Sequence, residues 1–142
     1  MRIKFSVLVG ILLLFAVSAG ATVDDSLSFA YEAAAPYVKH GYTMREDAWA
    51  GDLGVGDRKA VTAQLFWGNE YWFILASNTK TAHITVHLYD SSGKLADTES
   101  WQKGGIAAVR VNCQKTGTYY AIIQVVRSPE DRTNWALVYG YH

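Results

Sequence analysis

Acidic side chains around a predicted turn are the first residues in this chain that could do chemistry. Asp90 begins the turn Asp90-Ser91-Ser92-Gly93, and Asp97 and Glu99 follow on the returning strand, where their spacing predicts one shared face. Such oxygens could bind calcium, which takes about six to eight oxygen ligands. Aspartate at the start of a tight turn and glycine at its end are equally what a hairpin requires. A weak calcium site and an ordinary turn both remain open.

Hydrolytic chemistry finds little support in the residue pattern. A glycosidase needs two carboxylates across a cleft, whereas Asp97 and Glu99 lie on a predicted edge strand, where charges block edge-to-edge pairing. A serine hydrolase would need a nucleophile elbow, and no Gly-x-Ser-x-Gly occurs. His83 and His87 are about 13 Å apart along one strand, too far for both to bind one zinc at about 2 Å. We therefore expect no catalytic residue, no cofactor and no enzyme, with a small hydrolase as the least favoured function.

Aromatic residues are the one compositional excess, with five tryptophans and nine tyrosines. Most of those on predicted strands and turns should fill the core or seal its ends, because they bury a large area and carry one polar group; they are Trp67, Trp72, Trp135, Tyr71 and Tyr119. Trp49, Trp101 and Tyr42 lie in less regular segments. We interpret these three as ligand-binding candidates for a sugar or a peptide, with packing of a helix against the sandwich as the alternative.

The first 21 residues have the pattern of a secretory signal peptide. Arg2 and Lys4 precede an apolar stretch from Val7 to Val17, and Ala19-x-Ala21 predicts cleavage before Thr22. The apolar stretch is shorter than the roughly 20 residues needed to cross a bilayer, so an uncleaved anchor is the less favoured alternative. We expect an exported protein, periplasmic or extracellular in a bacterial source, without stable membrane insertion after cleavage.

Charge and cysteine content exclude further classes of function. Removing Arg2 and Lys4 with the signal peptide changes 13 basic and 13 acidic residues to 11 and 13, a formal charge of −2. The basic residues are scattered, which argues against nucleic-acid binding. The single cysteine, Cys113, excludes an internal disulfide framework. It has the strand parity of Val109 and Val111, which predicts burial in the core, and an intermolecular disulfide is the alternative.

Alternating apolar residues predict the architecture of the mature chain. Ile84, Val86 and Leu88 alternate with polar side chains, as in a strand with one buried face. The segment 71–77 is apolar on both faces, which predicts a central strand covered on both sides. Similar short segments follow one another between turns. They predict an all-β, antiparallel, jelly-roll-like β-sandwich of about seven to eight strands; the further segments begin near residues 59, 82, 94, 106, 118 and 135.

One short amphipathic helix is predicted before the sandwich. Asp24, Asp25 and Ser26 are good N-cap residues. An apolar stripe at helical spacing follows them, which should dock on the domain; its members are Leu27, Ala30, Tyr31, Ala34 and Val38. Pro36 should kink the helix or end it early, and Gly41 is a plausible stop. We therefore expect a helix and connector at 22–48 and the sandwich at 49–142.

The order of turn and strand residues resembles a known family. Trp49-x-Gly51-x-Leu53-x-x-Gly56-Asp57 is followed by Gly68-Asn69-x-Tyr71-x-Phe73, then Leu88-Tyr89-Asp90-x-x-Gly93 and Thr116-Gly117-Thr118-Tyr119. This pattern, spanning about residues 49–141, is similar to that of bacterial pre-peptidase C-terminal domains. The resemblance implies a jelly-roll-like sandwich found in exported proteins, often appended to peptidases. It implies an accessory or binding role, with calcium bound through acidic loop residues in some relatives.

Taken together, the residues predict an exported, non-enzymatic binding or accessory module that recognises a carbohydrate or protein partner. The alternative is a structural, envelope-associated protein that acts by self-association, and the oligomeric state is left open. No nucleic-acid partner is expected.

The predicted cleavage site can be tested by expressing the chain with its leader in a bacterial host. We expect the exported protein to begin at Thr22, and Ala21→Arg to accumulate as precursor because signal peptidase requires small residues at the first and third positions before the cut. Gly20→Arg, at the unrestricted middle position, is the control and should be cleaved. Intact mass spectrometry gives the result, and an unprocessed wild-type chain would contradict the prediction.

Overall fold

The structure, a computed structural model, describes the backbone from residue 21 to residue 142 and the side chains from residue 25. The predicted signal peptide, except for Ala21, lies outside these residues. The described part contains one helix and eight strands. Within these residues the helix is not long and apolar enough to span a membrane. The elements are α1 (Ala21–Lys39), β1 (Thr43–Leu53), β2 (Arg58–Leu65), β3 (Glu70–Ser77), β4 (His83–Tyr89), β5 (Asp97–Lys103), β6 (Ile106–Asn112), β7 (Gly117–Arg127) and β8 (Thr133–Tyr141).

The strands form two antiparallel sheets that pack face to face. The first sheet has the order β1-β8-β3-β6-β5, and the second has the order β2-β7-β4. The chain crosses between the sheets at every strand connection except β5–β6, so that most sequence neighbours lie in opposite layers, as in a jelly roll. The predicted fold class, an antiparallel jelly-roll-like sandwich with a short N-terminal helix, is confirmed.

Alternation along the strands of the second sheet builds the core between the layers. Every second side chain is buried in β4, in β2 from Val61 to Leu65 and in β7 from Tyr119 to Val125, because the pleat sends successive side chains to opposite faces. The first sheet contributes its own inward row, including Phe73, Val109 and Leu137, all fully buried. Cys113 is buried in the same core at 3% exposure, as its strand parity predicted.

Helix α1 covers the outer face of the first sheet. Ala30 and Ala34 are buried against Trp72, Ile74 and Val138. Small alanines let the helix approach the sheet closely, and β3 and β8 are consequently buried on both faces, as the apolar segment 71–77 predicted. The helical face differs from the predicted stripe, because Tyr31 and Val38 are 40% and 49% exposed.

The predicted helix ends are only partly correct. Ser26 is not an N-cap: it lies inside the helix, fully buried, and its hydroxyl oxygen accepts a hydrogen bond from the Asn78 N–H at 3.2 Å. This contact ties the helix to the loop after β3. The helix also continues past Pro36 to Lys39, and Gly41, at φ +98°, follows its end. The predicted early end at Pro36 is wrong, whereas the stop at Gly41 agrees with the structure.

Strand β1 starts before the predicted sandwich boundary. It begins at Thr43, which pairs with Tyr141, six residues before Trp49. The register shifts between Met44 and Ala48, so that the charged segment 45–47 bulges out of the ladder. This bulge breaks the period-2 alternation by which a strand is recognised in a sequence.

The turn between β2 and β3 corrects the prediction for Trp67. Its side chain is 71% exposed instead of filling the core or sealing its end. The Trp67 N–H donates to the Thr116 hydroxyl at 2.8 Å, and the Gly68 N–H donates to the Cys113 carbonyl at 3.1 Å. These bonds hold the turn outside the core, whose end is already filled by Leu65, Tyr71 and Tyr119, all at most 5% exposed.

The β5–β6 turn offers a test of the packing between the sheet and the β3–β4 loop. Gly104 and Gly105 both have positive φ, at +56° and +79°. A Cβ at Gly105 would lie 2.6 Å from the Thr79 carbonyl oxygen, whereas none of the neighbouring atoms comes within 4 Å of one at Gly104. We expect Gly105→Ala to lower the free energy of unfolding by about 1–3 kcal/mol more than Gly104→Ala, because both carry the φ cost and only one carries the clash. Urea denaturation measures the difference, and equal losses would contradict it.

Candidate functional site

The sandwich has a cleft along one side, where β1 and β2 face each other. Both are edge strands, since β1 pairs only with β8 and β2 only with β7. The cleft between them has a volume of about 530 Å³, against about 320 Å³ for a cavity beside Asp90 and 280 Å³ for one beside His87. We call it the seam cleft; it is lined by residues 48–53 of β1, Lys59 and Val61 of β2, and Trp135 of β8.

Trp49 forms one wall of the seam cleft and is half-buried. It pairs with the inward-facing Leu137, so it lies on the core side of β1. Its ring stacks on Tyr139 at 5.6 Å, and Tyr139 stacks on Phe73 at 4.8 Å with the two planes 8° apart. This column of rings extends from the centre of the core to the cleft. It therefore holds the Trp49 indole in a fixed position, with part of its surface open to the cleft.

Trp135 lies next to Trp49 along the cleft because a glycine leaves room for it. Trp135 pairs with Gly51, and a Cβ on Gly51 would be 3.2 Å from the indole Cζ2 and 3.5 Å from Nε1. The side chain is 3% exposed, and Nε1 has no hydrogen-bond partner among the described residues. An indole N–H can only donate, and buried donors without an acceptor are rare in folded proteins. The cleft wall thus contains an unused donor.

Lys59 stands at the opposite rim of the seam cleft. It pairs with Ile123, an inward-facing residue of β7, so its side chain leaves the same face of the second sheet. Within residues 25–142 none of the carboxylates lies within 4.0 Å of its ammonium. The nearby Asp52 carboxylate is instead bound to Arg132 at 2.7 Å, and this pairing raises the pKa of Arg132. The Lys59 ammonium at the rim therefore forms no ion pair with any described carboxylate.

Two of the three predicted ligand-binding residues lie elsewhere, on the outer face of the first sheet. The Trp101 indole Nε1 donates to the Tyr37 hydroxyl at 2.8 Å, and the Tyr42 ring meets Tyr37 edge to face at 6.0 Å. Tyr37 itself packs on Trp72 at 4.8 Å. Trp101 and Tyr42 thus gather where the end of α1 meets the sheet, which is the helix-packing alternative. Trp49 alone of the three lines the seam cleft.

Two tyrosines in this outer cluster have raised pKa values. Burial, followed by the hydrogen bond that Tyr42 donates to Glu70, raises the pKa of Tyr42 to about 12. Burial also raises the pKa of Tyr37, against the opposing effect of the Trp101 hydrogen bond. Both hydroxyls therefore remain protonated donors or acceptors in the physiological range, which suits a structural contact.

The calcium candidates are engaged in hydrogen bonds or ion pairs within the protein, although Asp90 and Asp97 line the same cavity. Asp90 Oδ1 accepts bonds from the Ser92 hydroxyl, the Ser92 N–H and the Lys94 N–H at 2.6, 2.9 and 2.9 Å, and these bonds lower the pKa of Asp90. This is the hairpin interpretation of the turn. Within residues 25–142 no group of three or more His, Cys, Asp or Glu side chains could hold a metal ion.

Asp97 and Glu99 do not share a strand face, so that prediction is wrong. A bulge between them shifts the register: Asp97 pairs with the inward-facing Val111, and Glu99 pairs with Arg110 on the outer face. Glu99 forms an ion pair with Arg110 at 3.3 Å, and so does Glu70. β5 is nevertheless an edge strand, as predicted. A period-2 pattern cannot reveal a bulge, because one extra residue reverses the parity.

His87 is exposed and pairs with Asp97. Its Nδ1 lies 2.7 Å from Asp97 Oδ2, while Oδ1 accepts the Leu88 N–H at 2.8 Å. The carboxylate thus bridges the edge of β4 to β5. Among the described residues His87 has no hydrogen bond to a hydroxyl or thiol, so the pair lacks the nucleophile that a His–Asp hydrolase would activate.

Sequence reasoning missed most of the seam cleft. The strand pattern predicts Trp135 in the core, which is where it lies, but no pattern of residues indicates that its N–H has no acceptor among the described residues. In the sequence, residue 59 is recognisable only as the start of a strand and Gly51 only as part of a pattern of turn and strand residues. Their shared position depends on the pairing of β1 with β8 and of β2 with β7, which no local pattern encodes.

Comparison with known proteins gives no family for the chain: none of the protein-family models matches it, and none of the curated proteins is significantly similar.

The contact between α1 and β5 predicts a measurable coupling. We expect Tyr37→Phe to lower the free energy of unfolding by about 0.5–1.5 kcal/mol, because it removes the acceptor of the Trp101 hydrogen bond. In a double-mutant cycle with Trp101→Phe the two losses should be less than additive. Tyr31→Phe on the exposed side of the helix is the control, expected within about 0.5 kcal/mol of wild type. Strict additivity in the cycle would show that the hydrogen bond does not hold the helix.

Proposed function

We propose that this chain is an exported, non-catalytic carbohydrate-binding module and that the seam cleft is its binding site. The observation that carries the proposal is the combination of a fixed, partly exposed indole with hydrogen-bond donors that have no acceptor among the described residues. Trp49 provides the indole, and Trp135 and Lys59 provide the donors. The cleft volume of about 530 Å³ is in the range of small-ligand sites.

A sugar ring matches both properties of the cleft. One face of a pyranose carries C–H groups that pack on an aromatic ring, and its edge carries hydroxyl oxygens that accept hydrogen bonds. Apolar contact with Trp49, Leu53 and Val61 would supply the first interaction, and the donors at the rim would supply the second. A binding site of this kind needs no catalytic group, which agrees with a His87–Asp97 pair that has no nucleophile in hydrogen-bond contact.

Other features of the chain support the export and accessory parts of the proposal. The N-terminal 21 residues have a charged start, an apolar stretch and a small-residue cleavage pattern. A jelly-roll-like strand order is what the resemblance to pre-peptidase C-terminal domains implies. We propose membership of that group on these grounds, with the chain acting beside a catalytic partner or on its own as a surface-binding module.

The proposal can be tested on a glycan array with the mature chain, residues 22–142. We expect selective binding to a subset of glycans, and a loss of at least about tenfold in affinity in Trp49→Ala, since aromatic stacking is removed. Trp67→Ala is the matched control, because it removes an equally large and more exposed indole at the β2–β3 turn. Its affinity should equal that of wild type.

Thermal unfolding of the variants separates binding from stability, because Trp49 also packs on Tyr139. A Trp49→Ala protein that remains folded at the assay temperature and still binds as wild type does would move the site away from the cleft. Binding to none of the glycans by the folded wild-type chain would overturn the proposed function.

A further inference from the structure

Two side-chain donors at the seam cleft have no acceptor among the described residues. Trp135 Nε1–H is buried without an acceptor, and the Lys59 ammonium has none of the described carboxylates within 4.0 Å. Neither group can accept a hydrogen bond. A ligand that satisfies them must therefore bring acceptor oxygens.

The acidic residue that lines this cleft is already engaged in an ion pair. Asp52 lines the cleft, but it pairs with the outward-facing Asn134, and its carboxylate binds Arg132 at 2.7 Å. Arg132 also lies 3.6 Å from Asp57. The two carboxylates share Arg132, and neither lies within 4.0 Å of the Lys59 ammonium.

We infer that the seam cleft selects acidic sugars, with a ligand carboxylate bound at Lys59 and Trp135 and the sugar ring packed on Trp49. This inference rests on the proposed function and narrows its ligand class to uronate-type glycans. A carboxylate supplies oxygens for both donors at once, and hydrogen bonds from charged groups are about twice as strong as neutral ones.

An acidic peptide would offer the same carboxylate, but the cleft favours a sugar. The stacked Trp49–Tyr139 column gives a flat apolar wall that suits the C–H face of a ring, and Leu53 and Val61 extend the apolar lining. A glutamate side chain would satisfy Lys59 and leave this wall without a partner.

The test compares trigalacturonate with its fully methyl-esterified form, which keeps the same backbone and removes the charge. By isothermal titration calorimetry we expect the acid to bind wild type at least about tenfold more tightly than the ester, as charge-assisted hydrogen bonds imply. Lys59→Met, which keeps the length of the side chain, should reduce this preference to less than about threefold. Lys103→Met is the matched control, since Lys103 is an exposed lysine at the opposite edge of the first sheet, and its preference should remain that of wild type.

The indole N–H provides a second readout that a general surface-charge effect would not move. In ¹H–¹⁵N spectra, with Trp135→Phe used for assignment, the Trp135 resonance should shift on titration with the acid and remain unmoved with the ester. A glutamate tripeptide is the third ligand.

Each outcome bears on a different statement. Equal binding of acid and ester with dependence on Trp49 overturns the acidic preference and leaves the carbohydrate proposal standing. Binding of the peptide alone overturns both in favour of a protein partner. If Lys103→Met abolishes the preference for acid over ester and Lys59→Met preserves it, the assigned site is wrong.

Discussion

The burial of β3 and β8 on both faces is the constraint on which the rest of this structure depends. One face of the pair builds the core against the second sheet, and the other builds a smaller core against α1. Both strands are almost entirely apolar, so removing either the second sheet or α1 would expose a large hydrophobic surface to water. The helix is therefore an integral layer of the domain and not an appendage.

This arrangement also divides the aromatic residues by role. Tyr37, Tyr42 and Trp101 join the end of the helix to the outer face of the first sheet. Tyr139 and Phe73 occupy the inner face and connect the core to Trp49 at the sandwich edge. Aromatic residues that look equivalent in the sequence thus serve opposite sides of one sheet. The inner set ends at a cleft in which donors remain unused, and the outer set has its polar groups paired within the protein.

The strand pattern predicted the sandwich well because burial on one face imposes a period of two. Ile84, Val86 and Leu88 lie inside as predicted, and so does Cys113. The prediction failed where the backbone leaves that period. The bulge between Asp97 and Glu99 places these two residues on opposite faces of β5. The bulge after Met44 interrupts the alternation at the start of β1, so the pattern does not reveal where that strand begins. Trp67 was misplaced for a related reason, since hydrogen bonds from a distant loop decide where its turn lies.

The sequence by itself determined the class of fold, the central position of segment 71–77, and an N-terminal leader pattern, because hydrophobic periodicity and composition are local properties. Only the tertiary structure decided which aromatic residues share a site. Trp49, Lys59 and Trp135 come from three strands in two sheets, and the cleft between them exists because β1 and β2 are edges on the same side of the sandwich. Strand order and register arise from the packing of the whole chain, so the unused donors of the seam cleft could not be identified from the order of residues.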